Sequence, residues 1–114
     1  MADSDCLFCR IVAGEIPAER VLENDEVIVF RDIAPRAPTH VLAIPRRHVA
    51  SAAVLTDADA GLLGALFGAL RRVAADAGLD GYRIVINVGA GAGQSVFHLH
   101  LHLLGGRPMS WPPG

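Results

Sequence analysis

Apolar and polar residues alternate over several short stretches of the chain, which is the pattern of β-strands that present two different faces. In the stretch that ends at Asp32, this period of two places Ile28, Phe30 and Asp32 on one face. Turn-forming residues or prolines bound each stretch. The five predicted strands are residues 21–23, 26–32, 40–44, 82–87 and 97–104.

Two other segments have the residue spacing of helices. Residues 6–13 predict a short helix that ends at Gly14, and residues 56–76 predict a long helix that ends before Gly78. Thr56 is a suitable N-cap, with Asp59 placed to complete a capping box. The predicted apolar stripe of the long helix consists of Leu62, Leu66, Ala69 and Val73, with Leu63, Phe67 and Leu70 beside it.

Strands joined by hairpins, together with one long and one short helix, predict an α+β fold with a five-stranded, mainly antiparallel sheet. A chain of 114 residues is long enough for one hydrophobic core and too short for two. We therefore expect a single domain over residues 1–114.

Composition and charge narrow the class of protein. The chain is 52% hydrophobic with a mean hydropathy of +0.38, but its longest apolar run, residues 60–70, is too short to span a bilayer. Residues 1–6 are acidic and do not resemble a targeting peptide. A net charge of −2 gives no basic surface for nucleic acid, and all ten basic residues are arginine, which excludes lysine chemistry. We expect a cytoplasmic protein with neither membrane nor nucleic-acid partners.

Three of the five histidines, His98, His100 and His102, lie two residues apart. On a strand this spacing directs the three rings to one face. A single histidine on a strand is usually a packed residue, but three aligned rings would each need polar partners. The pattern therefore indicates a site, either a metal centre or a metal-free nucleophilic centre. The residues expected to enter the core from the opposite face are Phe97, Leu99, Leu101 and Leu103.

A glycine-rich segment, residues 89–95, comes directly before this strand. Its backbone N–H groups can converge on an anion, with the Gln94 and Ser95 side chains as further donors. The segment matches neither a dinucleotide-binding glycine motif nor a lysine-containing phosphate loop. Next to three aligned histidines, it indicates a phosphate-binding loop beside a nucleophile.

Cys6 and Cys9 are the only cysteines, and they form a Cys-x-x-Cys at the start of the first predicted helix. In a cytoplasmic chain this spacing indicates a metal site or a redox pair rather than a structural disulfide. A thioredoxin-like role is disfavoured because no β-α-β pattern surrounds the pair.

The segment from His98 to Leu104 matches the full signature of the histidine triad family, and the chain as a whole resembles the Hint branch of that family. The other similar segments are Phe30-Arg-Asp-Ile33, Ala37-Pro-Thr-His40, Asn87, Gly93-Gln-Ser95 and the tail, residues 105–114. The resemblance implies a homodimer whose two five-stranded sheets join into one ten-stranded sheet. It also implies a purine nucleoside phosphoramidase, which cleaves the P–N or P–O bond at the α-phosphate of AMP or GMP derivatives.

Transferred residue by residue, the resemblance implies that His100 is the nucleophile and forms a covalent nucleotidyl-histidine. The carbonyl of His98 would orient its ring, and His102 would hold phosphate oxygens together with Ser95 and the loop amides of Gly93 and Gln94. The residues expected to support this network are His40 and Asn87. The implied nucleoside contacts are Asp32 with the ribose hydroxyls, and Phe8, Ile11, Phe30 and Ile33 around the base.

The resemblance also extends to the cysteine pair and the tail. Related bacterial members and the galactose-1-phosphate uridylyltransferases complete such a pair with two histidines, which correspond here to His48 and His98. A structural zinc held by Cys6, Cys9, His48 and His98 is thereby implied, with a metal-free thiol pair as the alternative. In this branch the tail packs near an active site, that of the partner subunit, which makes Trp111 a candidate specificity residue.

Two other functions fit the same residues. One is a nucleotide-binding interaction protein with vestigial hydrolysis, which would use the same pocket. The other is a metallohydrolase with a catalytic zinc on His98, His100 and His102. Because the interaction protein and the phosphoramidase share the pocket, the amino-acid sequence does not separate these two functions.

Overall fold

The computed structural model describes residues 5–114, so the first four residues of the acidic N-terminal segment interpreted above lie outside it. The strands are β1 (Arg20–Glu23), β2 (Val27–Arg31), β3 (Thr39–Pro45), β4 (Tyr82–Val85) and β5 (Leu101–Gly105). The helices are α1 (Leu7–Val12) and α2 (Ala60–Asp76), and short 3-10 turns cover Ala52–Val54, Asp57–Asp59 and Ala90–Ala92. The predicted α+β fold with one long and one short helix is confirmed.

All five strands form one antiparallel sheet in the order β1-β2-β3-β5-β4. The β1–β2 hairpin is held by the Asn24 side-chain oxygen, which accepts the backbone N–H groups of Glu26 and Val27. The last strand of the chain, β5, lies between β3 and β4, and its His102 is opposite Leu42 on β3. His102, near the chain end, therefore lies between two earlier strands.

Each face of the sheet is covered by one helix. On one face, Leu66 and Leu70 of α2 pack with Val29 of β2 in a core from which water is excluded. On the other face, Phe8 of α1 packs with Phe30 of β2. The alternation along β2 thus buries both sets of residues, each against a different helix.

The long helix begins later than predicted. Residues 57–59 form a separate 3-10 turn, in which Thr56 and Asp59 make the expected capping box, and α-helical structure starts at Ala60. Phe67, which was assigned to the apolar stripe, is 39% exposed. Within residues 5–114, no helix combines the length and the hydropathy that a membrane crossing requires.

The strand predicted over residues 97–104 is also shorter at its start, because β5 begins at Leu101. Its partner β3 ends at Pro45, which has no N–H to continue the ladder. In the preceding segment, the Leu99 N–H donates instead to the Val49 carbonyl. Phe97, which was predicted in the core, is 51% exposed because the chain bends over residues 96–98.

Candidate functional site

A cavity of about 390 Å³ lies on the α1 face of the sheet. The predicted site residues that line it are Phe8, Ile11, Phe30, Asp32, Ile33, Ser95, His100 and His102. Phe8 contacts Phe30 and His100 edge-on, with ring centroids 5.5 and 5.2 Å apart. Two of the triad rings and the residues expected around a nucleoside therefore share one cavity.

Further lining residues were not identified from the sequence: Leu7, Ile16, Pro17, Ala18, Arg31, Leu42 and Val96. Leu42 lies two residues after His40 on β3, and this period of two was a usable signal. The Arg31 guanidinium is already paired with Glu19 at 2.6 Å. Residues 16–18 belong to an irregular segment after α1, for which neither helical nor strand periodicity provides a signal.

His100 is held in a defined tautomer. Its Nδ1 lies 2.8 Å from the carbonyl oxygen of His98, and the ring is 7% exposed. A carbonyl oxygen can only accept, so the neutral ring carries its proton on Nδ1 and keeps a lone pair on Nε2. A nitrogen lone pair on a ring that lines the cavity is what nucleophilic attack requires.

A second hydrogen-bond chain defines the tautomers of His40 and His102. The backbone N–H of Arg36 donates to Nδ1 of His40 at 3.0 Å, so His40 carries its proton on Nε2. The Nε2–H of His40 donates to Nδ1 of His102 at 3.0 Å. The Asp32 carboxylate lies 3.4 Å from the same Nε2 of His40. His102 must then carry its own proton on Nε2, which makes this cavity-lining ring a hydrogen-bond donor.

Burial keeps both rings neutral. Burial is the main cause that lowers the pKa of His102 to about 4, with His100 and His40 adding to the effect. Burial likewise lowers the pKa of His40, although the nearby Asp32 carboxylate opposes this shift. The hydrogen-bond chain is therefore in its neutral form at pH 7.

Cys6, Cys9, His48 and His98 converge beside α1, with their ligand atoms all within 4.8 Å of one another. Nδ1 of His98 lies 3.3 Å from the Cys6 sulfur and 3.5 Å from the Cys9 sulfur, and Nδ1 of His48 lies 3.3 Å from the Cys9 sulfur. Tetrahedral zinc separates sulfur and nitrogen ligands by roughly 3.5 Å. Nε2–H of His98 donates to the Pro45 carbonyl at 2.9 Å, an outer contact that metal-bound histidines commonly make. The four residues fit a zinc ion.

A second group, Asp32, His40 and His102, also has its ligand atoms within 4.8 Å. Here, however, Nδ1 of His40 accepts the Arg36 N–H, so Nε2 keeps its proton and is not available to a metal. This group is better described as a hydrogen-bonded chain than as a metal centre.

The triad rings do not form a common ligand set. Nδ1 of His98 points to the cysteine sulfurs, Nδ1 of His100 to a backbone carbonyl and Nδ1 of His102 to His40. Among residues 5–114, the groups of close ligand atoms do not include one made of these three rings. The geometry therefore argues against the catalytic zinc of the metallohydrolase hypothesis.

The glycine-rich loop has a defined conformation. Gly89 and Gly93 have φ values of +85° and +92°, which other residues rarely adopt. Asn87 lies beside the loop, with its Nδ2 3.9 Å from the place where a Cβ would lie on Gly93. Ser95 is exposed and lines the cavity.

The Gln94 side chain does not have its predicted role. Its side-chain oxygen accepts the Gly89 N–H, and its Nε2 donates to the carbonyls of Ala50 and Val96. The residue is 3% exposed, and a buried amide must use its donors internally. Gln94 therefore stabilises the loop instead of offering a free side-chain donor to phosphate. The backbone N–H groups of Gly93 and Gln94 also donate within the loop.

Among residues 105–114, which form the tail, Arg107 contacts the loop that precedes His40. Nε of Arg107 donates to the carbonyl of Arg36 at 2.8 Å. Further along, Arg83 of the edge strand β4 donates to the Ser110 carbonyl and lies 5.9 Å from the centre of the Trp111 ring. Trp111 is 81% exposed and does not line the cavity of its own chain, so a role for it at a site would require another subunit.

Comparisons with known proteins, which extend over almost the whole chain, agree with the fold and the cavity residues described above. The family model described as the HIT domain matches residues 13–109. An uncharacterised HIT-like protein of Synechocystis is 51% identical over 111 residues, which cover 96% of this chain and 97% of that protein. The crystal structure of a HIT family hydrolase from Legionella pneumophila is also 51% identical, with a TM-score of 0.94 and coverage of 96% and 99%. The chain belongs to the HIT domain family, the histidine triad proteins that its sequence resembles.

Two further relatives are named for zinc. A 14 kDa zinc-binding protein of Zea mays is 47% identical over 115 residues, covering 98% of this chain and 90% of that protein. A Zn-bound histidine triad family protein from Mycobacterium smegmatis is 35% identical, with a TM-score of 0.78 and coverage of 90% and 75%.

The buried neutral state of His102 makes stability depend on pH. Between about 6.5 and about 4 the unfolded chain binds a proton at His102 and the folded chain does not, so stability falls as the pH falls through this window. Because the ring is partly exposed, we expect a loss on the order of 1–3 kcal/mol. The measurement is urea unfolding of wild type and His102→Asn across this pH range. The stability advantage of the wild type over the variant should shrink by that amount; a constant difference would contradict a buried neutral ring.

Proposed function

We propose that the protein is a purine nucleoside phosphoramidase that hydrolyses the P–N or P–O bond at the α-phosphate of AMP or GMP derivatives. The observation that carries the proposal is the 2.8 Å hydrogen bond between Nδ1 of His100 and the carbonyl of His98, which leaves Nε2 as a nucleophile on a cavity-lining ring. Membership of the family and the similarity to a HIT family hydrolase support the general class of reaction.

In the proposed reaction, the Nε2 lone pair of His100 attacks the α-phosphorus and the bond to the leaving amine breaks. The amine departs with the bonding electron pair and takes up a proton, and a nucleotidyl-histidine remains. Water then attacks the phosphorus and breaks the bond to His100. The nucleoside monophosphate is released and the neutral ring is restored, so each cycle consumes one water molecule.

Neutral donors would stabilise the charge that develops on the phosphate oxygens. Nε2–H of His102 is one such donor, because its tautomer is set through His40, and the exposed Ser95 hydroxyl is another. Asn87, beside Gly93, and His40 would support this arrangement.

The nucleoside would occupy the rest of the cavity. Asp32 would accept the ribose hydroxyls. Its Oδ1 accepts the backbone N–H of Ala34 at 2.8 Å, and each carboxylate oxygen can accept two hydrogen bonds, so acceptor capacity remains for the ligand. The apolar wall proposed for the base consists of Phe8, Ile11, Phe30 and Ile33.

Replacing the nucleophile tests the reaction. His100→Asn should lower the rate of adenosine 5′-monophosphoramidate hydrolysis by at least about 10³-fold, because no nitrogen lone pair remains to form the intermediate. Affinity for AMP, measured by calorimetry, should change only a few-fold. Asp25→Asn, at the exposed β1–β2 turn, is the control and should retain full activity. With the wild type and a slow substrate, mass spectrometry should locate the nucleotidyl group on His100. Full activity of His100→Asn, or a modified residue elsewhere, would disprove the mechanism.

The alternative function, a nucleotide-binding interaction protein, makes a different prediction for the wild type. Under this alternative, the wild type would still bind AMP or GMP but would hydrolyse good phosphoramidate substrates no faster than the background reaction. The same calorimetric and kinetic measurements therefore separate the two functions.

We also propose that Cys6, Cys9, His48 and His98 hold a structural zinc ion. The support is the convergence of two sulfurs and two ring nitrogens at separations that suit tetrahedral zinc, and the zinc-related names of two relatives. When bound, the ion would cross-link α1 to the segment before β5. The reduced thiols that this site needs are consistent with the predicted cytoplasmic location.

Two matched variants test the zinc site. His48→Asn should lose most of its zinc, measured by elemental analysis, because one of four ligands is removed. His40→Asn makes the same substitution in the other cluster and should retain about one zinc per chain, because His40 cannot offer a free nitrogen. Zinc loss in His40→Asn, or its retention in His48→Asn, would reverse the assignment.

A homodimer is the proposed assembly. Within residues 5–114, the edge strand β4 pairs with β5 on one side only. The helix α2, which packs on one face of the same sheet, exposes an apolar surface that includes Phe67 and the open backbone of Gly64. Joining two such edges would give the ten-stranded sheet implied by the family resemblance.

Charge introduced on this surface should separate the subunits. Phe67→Glu should shift the sedimentation mass from about twice the 12.0 kDa of one chain to that of one chain, because a buried carboxylate would lack a partner. The control is Ala75→Glu, which introduces the same charge at an exposed position near the C-terminal end of α2 and should remain dimeric. A dimeric Phe67→Glu would exclude this interface.

A further inference from the structure

We propose that Cys6 and Cys9 are a reversible oxidation site, at which a hydroperoxide forms an intramolecular disulfide, expels the metal ion and so slows the reaction at His100. This inference rests on the proposed zinc ligands and hydrolase activity, and it adds a form of control that neither requires.

The two cysteines are placed as a dithiol pair. Cys6 is the N-cap of α1, and Cys9, three residues later, donates its backbone N–H to the Cys6 sulfur at 3.3 Å. Both sulfurs approach the same atom, Nδ1 of His98, at 3.3 and 3.5 Å, and they lie within 4.8 Å of each other. Cys-x-x-Cys pairs at helix starts are the usual setting of reversible disulfides, so bonding these sulfurs needs only local side-chain movement.

A small oxidant can reach the pair from one side. A cleft of about 540 Å³ beside α1 is lined by Cys6, His48, Ser95 and Phe97, among others. Cys6 is 9% exposed and Cys9 is 2% exposed. Cys6 is therefore the sulfur that reacts first with the oxidant, and Cys9 is the one that converts the resulting sulfenic acid to a disulfide.

The chemistry balances with a hydroperoxide as oxidant. The Cys6 thiolate attacks one peroxide oxygen, the O–O bond breaks and hydroxide or alkoxide leaves, which gives a sulfenic acid. The Cys9 thiolate then attacks the Cys6 sulfur, the S–S bond forms and hydroxide leaves. Two electrons pass from the sulfurs to the peroxide. The disulfide carries no thiolate charge, so two imidazoles alone remain and the zinc ion is released.

This change reaches the cavity through two connections. The ring of His98 contacts both sulfurs, while its carbonyl holds Nδ1 of His100 at 2.8 Å. In addition, α1 carries the cysteines together with Phe8 and Ile11 of the cavity wall. Oxidation should therefore loosen both the orientation of the nucleophile and the wall beside it.

The experiment treats zinc-loaded full-length protein with hydrogen peroxide. We expect release of about one zinc per chain to a chromophoric chelator, loss of both titratable thiols and a mass decrease of about 2 Da in the tryptic peptide of residues 1–10, which contains both cysteines. The kcat for phosphoramidate hydrolysis should fall at least about tenfold, and a dithiol reductant with added zinc should restore it. Cys6→Ser is the control and should show no 2 Da decrease.

Each arm can fail separately. Sulfinic or sulfonic acid without a disulfide, or retention of zinc by the oxidised protein, would overturn the oxidation site, and these readouts do not depend on hydrolysis. Zinc release with unchanged kcat would overturn the link to His100. If no hydrolysis is found before oxidation, the proposed function fails while the thiol, zinc and mass measurements still test the oxidation site.

Discussion

The arrangement of this protein depends on one fully buried imidazole, that of His98, whose ring nitrogens are out of reach of bulk solvent and bond to protein groups. Its Nε2–H donates to the carbonyl of Pro45, and this contact leaves Nδ1 as the atom that faces the two cysteine sulfurs. The carbonyl of the same residue accepts Nδ1–H of His100. The contacts of this ring thus hold the residue whose carbonyl orients the neighbouring ring, and the cysteine–histidine cluster and the cavity share one residue.

The alternation of histidine and leucine was sufficient to predict which side chains share a face. It holds even where the strand does not, because Leu99 is buried before β5 begins. The position of that beginning could not be predicted from the segment itself, since it depends on a proline that ends another strand far away in the chain. Phe97 was wrongly placed in the core for the same reason: strand periodicity was applied to residues that have no strand to pair with.

The histidines of the cavity were predicted from their spacing along the chain, whereas Asp32 and the apolar wall were predicted only through the family resemblance. The contacts that set the ring tautomers were not predicted, because the N–H of Arg36 and the carbonyl of Pro45 are backbone groups that every position, or nearly every position, possesses. Gln94 shows the reverse case. Its amide has the chemistry of a phosphate donor, yet burial commits it to the loop, and burial of one glutamine is not encoded in a local pattern.

The hydrogen-bond chain through His40 and His102 has a consequence for how an anion is held. These groups are uncharged at pH 7, and Arg31, the one cationic residue among the described residues that line the cavity, is neutralised by Glu19. Attraction must then come from aligned dipoles, whose effect decays steeply with distance and orientation. The other charged residue that lines the cavity, the Asp32 carboxylate, is negative, so dissolved salt has no attraction between a free cation and phosphate to screen. Affinity should therefore not fall with ionic strength as it does in proteins that bind phosphate with arginine clusters.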